Sequence, residues 1–228
     1  MALRIFKKIG WRYALGELVL IFLGITMAIW FNNWNEARKE VSVEIKSLEE
    51  LRDALQQDLQ DIELNIHGFD GRVKGYKRLL KHMEQQLPLS DSLLRAIPYI
   101  RGFTFLVSND GPYETLKSRG LETVTNDSLR LQIATYYDLD YDKLLTNESE
   151  HRRHYANYMK PKLMEHFLLK DYQMQPIDYN ALIQDFDFRQ ILYWASATDE
   201  YLLHFYQHLN REGNRLLANI KTEIERLE

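Results

Sequence analysis

From Leu18 to Asn35 the chain carries no charged residue, and the run LVLIFLGITMAIWF inside that stretch is almost wholly apolar. At ~1.5 Å rise per residue, a helix from Trp11 to Trp30 covers roughly 28 Å, the thickness of a bilayer's hydrocarbon core. Trp11 and Tyr13 flank one end and Trp30 and Trp34 the other, as an aromatic belt does. The stretch therefore predicts one membrane-spanning helix, residues 13–34, between a basic segment, 1–12, and a large domain, 35–228. A cleaved signal peptide has the same basic start, but no small-x-small cleavage site follows: Ala28 is succeeded by Ile29, Trp30 and Phe31.

Arg4, Lys7, Lys8 and Arg12 precede the span with no acid among them, whereas Arg38, Lys39 and Lys46 follow it among Glu36, Glu40 and Glu44. By the positive-inside rule this points the N-terminus to the cytoplasm of a bacterial inner membrane and the bulk of the chain to the periplasm. Leu3, Ile5, Phe6 and Ile9 among the basic residues suit the anionic inner leaflet. Glu17 sits about a turn inside the inner belt, where snorkelling or contact with Tyr13 accounts for it more simply than a proton relay. Gly24 and Ala28 form a small-xxx-small pair that permits close helix approach.

Beyond the span, apolar residues step alternately by three and four: Val41, Ile45, Leu48, Leu55, Leu59, Ile62, Ile66, Phe69, Val73, Tyr76, Leu80, Met83 and Leu87, interrupted by Arg52. That heptad register predicts a helix continuous with the span and ended by Pro88. Gly68, Gly71 and Gly75 fall off the seam and mark places to bend. Residues 89–126 are irregular: a short capped helix before Pro98, a turn at Asn109-Asp110-Gly111-Pro112, and a helix from Tyr113 closed by Gly120. A second long helix follows from about 127 to 168, kinked at Pro161, and a third spans 188–227 with Asp187 as its cap. The expected fold is all-α: the transmembrane helix continues into a long antiparallel three-helix bundle with a small irregular helical tip.

Arg12-Tyr13-Ala14-Leu15-Gly16-Glu17, then Gly24-Ile25, then Asn32-Asn33-Trp34-Asn35-Glu36 resemble the N-terminus of an uncharacterised family of single-span, helix-rich bacterial membrane proteins. Tyr113-Glu114, Leu116, Gly120 and the helix at Leu129 are similar to its second recurrent block. The resemblance implies an anchored helical protein and carries no activity, cofactor or catalytic residue.

A formal net charge of -4 without a dominant basic face argues against nucleic acid as a partner. The absence of cysteine excludes disulfides, thiolate metal sites and thiol catalysis. There is no phosphate loop, zinc-protease motif or nucleophile elbow. If helices two and three pair at positions summing to about 355, and residue 87 returns near 127, then His67, Glu148, His151, His204 and His208 gather at mid-bundle. Such a group makes a hydrogen-bonded polar layer or, less simply, a transition-metal site. Neither a cofactor nor a reaction is expected. The leading expectation is a non-enzymatic interaction protein that self-associates or docks to an envelope membrane complex. An extracytoplasmic sensory or ligand-binding domain stands second, and a metal-dependent enzyme third.

Overall fold

A computed structural model of the chain describes residues 11–228; residues 1–10 of the basic segment, with Arg4, Lys7 and Lys8 of the orientation argument, lie outside them. Helix α1 runs without a break from Trp11 to Gln85, 75 residues or about 112 Å at helical rise. Nothing interrupts it: no proline occurs before Pro88, and Gln86 ends it by taking a positive φ of 50°. Its first part, through Trp34, is exposed wherever side chains are described. It is the one helix among the described residues long and apolar enough to cross a membrane. Thr26 keeps its hydroxyl satisfied there by donating to the Phe22 carbonyl at 2.8 Å. At the boundary Trp34 packs on Phe31 (5.9 Å between rings) and lies under the Arg38 guanidinium (5.1 Å).

From Glu44 onward the same helix becomes the spine of a bundle. The second long rod, residues 127–166, is assembled from α5 (Asp127–Ala134), a π-helical segment Thr135–Tyr141, α6 (Asp142–His154), a second π segment Tyr155–Met159, and α7 (Lys160–His166). Asn126 caps its start by accepting from the Leu129 N–H. Pro161 falls in the first turn of α7, just past the second π segment, so the wider turn absorbs its missing N–H and the rod continues. A hairpin follows, β1 (Phe167–Lys170) antiparallel to β2 (Gln173–Pro176), turned by Asp171 and Tyr172 at φ 50° and 62°. After α8 (Tyr179–Gln184), the third rod α9 (Phe186–Leu227) returns along the bundle. Its cap is Asp185, which accepts from the Phe188 N–H at 2.8 Å, rather than Asp187.

The fold is all-α, as expected, with a small hairpin that the sequence pattern did not announce. The irregular insert is not a tip. It holds α2 (Asp91–Leu94), α3 (Ile97–Arg101) and α4 (Gly111–Arg119), and it descends the whole bundle as a strap against α1. Ala96 and Ile100 lie against Gly75, Tyr99 against Gly71 and Thr104 against Gly68, while Asn109 reaches Asp58 and Thr125 reaches Glu44. The second rod therefore starts beside Glu44 and climbs parallel to α1: Tyr141 meets Asp58 and His151 meets Arg72. Only α9 runs antiparallel to both, and residue 127 does not return near residue 87. The glycines at 68, 71 and 75 are a bed for the strap, not bends; a Cβ on Gly71 would stand 2.7 Å from the Tyr99 ring.

Two apolar clusters fill the bundle. The near one, toward the apolar stretch, joins Leu48 to Phe69 with Tyr113, Leu116, Ile133, Leu144 and the lower part of α9 from Leu202 to Ile224. The far one joins Tyr76 to Met83 with Leu93, Ile97, Ile100, Met159, Leu163 and the upper part of α9 from Phe188 to Ala195.

Candidate functional site

The heptad seam accounts for only part of what α1 buries. Because three neighbours surround it, a further face is covered, and that face is polar: Glu44, Asp58, Asn65 and Arg72, the last three spaced seven residues apart, are all buried. Each meets a named partner. Thr125 N–H donates to Glu44 (2.8 Å), Asn109 N–H to Asp58 (3.0 Å), and the Thr104 hydroxyl to Asn65. The neighbouring Asp61 accepts from the Val107 N–H at 2.9 Å, and Glu148 of the second rod from the Leu106 N–H at 3.1 Å. The extended stretch of strap between α3 and α4 has no sheet to join, so these carboxylates satisfy its donors.

Arg72 lies where the two apolar clusters meet. Its Nε stands 2.9 Å from Asp199 Oδ2, off the line of the N–H, and its Nη2 donates to Asp199 Oδ1 (3.3 Å) and to the Tyr76 hydroxyl (3.1 Å). His151 Nε2 is 2.6 Å from Asp199 Oδ1. The side chains of Arg72 and Asp199 are 2% and 0% exposed, so neither has water to fall back on. The Nη1 nitrogen has no hydrogen-bond partner. The guanidinium carbon instead has aromatic rings around it, Phe69 at 5.3 Å and Tyr76, Phe103 and Tyr155 at 5.9 Å. Below this layer Glu148 receives the Tyr206 hydroxyl. Burial raises the Glu148 carboxyl above the usual range, against the pull of Tyr206 and the Leu106 N–H.

Of the five residues expected in a mid-bundle layer, the structure brings together Glu148 and His151. His67 is near the expected height but exposed, and His204 is exposed as well. His208 lies lower, 3.6 Å from Asp140. Contacts between the second rod and α9 sum to about 350 rather than 355 (His151 with Asp199, Asn126 with Glu223), which puts Asp199 where His204 was expected. The missed residues, Arg72 and Asp199, carry a signal only in the seven-residue recurrence of polar groups beside the seam. Of the residues expected to anchor a span, Trp11, Tyr13, Glu17, Trp30 and Trp34 lie exposed on α1, and among the described residues nothing comes within 4 Å of a Cβ at Gly24, beside the equally exposed Ala28.

This architecture coincides with a known sequence family over most of its length: residues 17–192 match it. The chain belongs to the family of unknown function DUF6090. Neither a curated protein nor a solved structure matches. The DUF6090 region takes in the apolar stretch, the strap, the second rod and the hairpin, and it stops in the first turns of α9, short of Asp199 and Tyr206.

At the far end of the DUF6090 region Glu165, His166 and Asp185 offer three convergent ligand atoms. Lys162 already stands between the carboxylates, 2.9 Å from Glu165 and 2.7 Å from Asp185, and His166 Nε2 is 2.7 Å from the same Asp185 oxygen. Burial works against the Asp185 charge, yet Lys162, the Phe188 N–H and His166 hold its carboxyl well below the ordinary range. An ammonium thus fills the position a metal ion would take.

Proposed function

We propose that this chain is a single-span protein of a bacterial inner membrane, N-terminus inside, whose periplasmic bundle is a non-enzymatic stalk for protein contacts. It would self-associate or dock to a membrane complex. The observation that carries this reading is the continuity of α1. One helix exposes apolar side chains to Phe31, anchors at Trp34 and Arg38, and then becomes the core of the bundle. A joint without a linker holds the far end at a fixed height above the bilayer, which suits a spacer and serves a freely diffusing catalyst poorly. The heptad seam is buried inside this chain, so contacts with other chains fall to the exposed surfaces. The far end offers Met164, Leu168, Leu169, Tyr172, Ile177 and Phe186, all more than half exposed. Orientation rests on Arg4, Lys7, Lys8 and Arg12 at the N-terminal side of the span.

A reporter fused after Glu228 is expected to be active only outside the cytoplasm; cytoplasmic activity overturns the orientation. A photo-crosslinker at Tyr172, used in native membranes, is expected to capture a second copy or one membrane subunit in stoichiometric yield. A chain that stays uncrosslinked and monomeric in native purification overturns the contact role.

A further inference from the structure

From Tyr13 to Asn35 a single residue carries a charge, Glu17. Its side chain is exposed, and among the described residues it makes neither a hydrogen bond nor an ion pair, so the expected contact with Tyr13 is not made. The bundle cannot supply a partner, because it begins at Glu44, about 40 Å further along the helix. Trp11 and Trp34 lie about 34 Å apart along α1. With a hydrocarbon core of about 30 Å centred between them, the Glu17 backbone sits roughly 7 Å inside it. Two methylenes carry the carboxylate roughly 4 Å back toward the surface, which leaves it in hydrocarbon where a lysine would reach water. Snorkelling therefore does not account for this residue. An acid held at such a depth is costly unless another group meets it.

The rest of the same face prepares an approach. At about 100° per residue, Glu17, Gly24 and Ala28 fall within about 40° of one another around the helix. The opposite side carries Leu15, Val19 and Phe22. Among the described residues nothing comes within 4 Å of a Cβ at Gly24, so a second backbone laid on this face can come close to α1 just beyond the acid. Charge decides which helix that is. A second copy laid parallel on this face sets Glu17 against Glu17, like charges in a medium that scarcely screens them. The nearest basic position, Arg12, lies about 140° away around the helix and so off this face. A cation brought by a different helix satisfies the carboxylate directly.

We propose that this face of α1 docks a membrane-spanning helix of another protein, one that carries a lysine or arginine at the depth of Glu17. This rests on the membrane reading of α1 and names, by its chemistry, the membrane subunit to which the stalk docks. The full chain is reconstituted in phosphatidylcholine vesicles with leucine–alanine spanning peptides that carry lysine, leucine or glutamate at that depth, and association is read by energy transfer. The lysine peptide is expected to bind about tenfold more tightly than the leucine peptide. Glu17→Gln should erase this preference, and Glu17→Lys should turn it toward the glutamate peptide. Gly24→Leu with Ala28→Leu should weaken binding of the lysine peptide about threefold. A preference for lysine that survives Glu17→Gln, or Glu17-dependent association of the chain with itself that excludes the lysine peptide, would overturn the proposal. A chain that alkaline carbonate strips from the vesicles overturns the membrane reading along with it. A chain that stays inserted and binds the lysine and leucine peptides alike overturns the docking proposal alone.

Discussion

The near and far halves of the bundle solve one problem in opposite ways. In both, the strap must lie against α1 with its backbone polar groups satisfied. In the far half it does so as α2 and α3, which satisfy most of their own N–H groups and need only a smooth bed, supplied by Gly71 and Gly75. In the near half the strap is extended from Gly102 to Asp110, before α4, and the donors there are met by carboxylates planted in the bundle, Glu148, Asp61 and Asp58; at the bottom, beyond α4, Glu44 does the same for Thr125. A segment with its own hydrogen bonds asks its neighbour for shape; a segment without them asks for charge. The Arg72–Asp199–His151 layer divides the two regimes.

Breaking that layer should do the most damage. Asp199→Ala leaves the Arg72 guanidinium buried and unpaired, with an expected loss of about 3–5 kcal/mol in chemical denaturation. Arg72→Met with Asp199→Leu should recover most of that loss, since a buried pair is worth little over a well-packed apolar substitute. A single variant no worse than the double would mean the pair carries no buried charge. The next effect tests the far half. Gly71→Ala gains up to about 1 kcal/mol of helix propensity, but its Cβ meets the Tyr99 ring at 2.7 Å. We expect a net loss of about 1–2 kcal/mol from overpacking and faster hydrogen exchange at residues 96–104. A stabilised variant would refute the shape argument.

The near half should answer to pH. Burial raises the Asp58 carboxyl from the ordinary value to about 6, against the Tyr141 hydroxyl and the Asn109 N–H, which pull it down. A raised folded-state value favours the native state fully below the unfolded value, and that advantage disappears as pH climbs through about 6. Relative to Asp58→Asn, the parent should therefore lose about 1–2 kcal/mol of stability between pH 4 and pH 7. Parallel pH profiles for the two proteins would mean that burial does not raise the Asp58 carboxyl. The smallest effect belongs to the solvent-facing pair Lys74–Asp70, 2.5 Å apart with both side chains well exposed. Asp70→Asn should change stability by no more than about 0.5 kcal/mol and be insensitive to which half is perturbed.

Much of this was legible in the residues, and what was not has physical causes. The apolar stretch, the heptad seam and the Gly120 terminus, at φ 106°, can be read from pattern and turn chemistry alone. The path of the strap cannot, because Leu106, Val107 and Asn109 bond through backbone N–H groups that leave no trace in residue identity. Without that path the residues predict a second rod antiparallel to α1. The hairpin's strands, FLLK and QMQP, are too short for alternation to show. Glu148 and His151 stood out by interrupting an apolar face. Arg72 and Asp199 did not, since a charged residue beside a seam ordinarily faces water, and an offset of five between 355 and 350 exchanges Asp199 for His204.

The crossing strap also sets an order of events during synthesis. The α1 spine emerges first, and its seam finds neither of its long partners until the chain has crossed the bundle's length and turned back. Its antiparallel partner α9 is made last, and it supplies both Asp199 to the charge layer and the apolar row from Leu202 to Ile224. The nascent protein therefore holds one face of a long amphipathic helix uncovered until α9 is made. Native contacts between residues more than a hundred apart close only at the end, so folding should be slow.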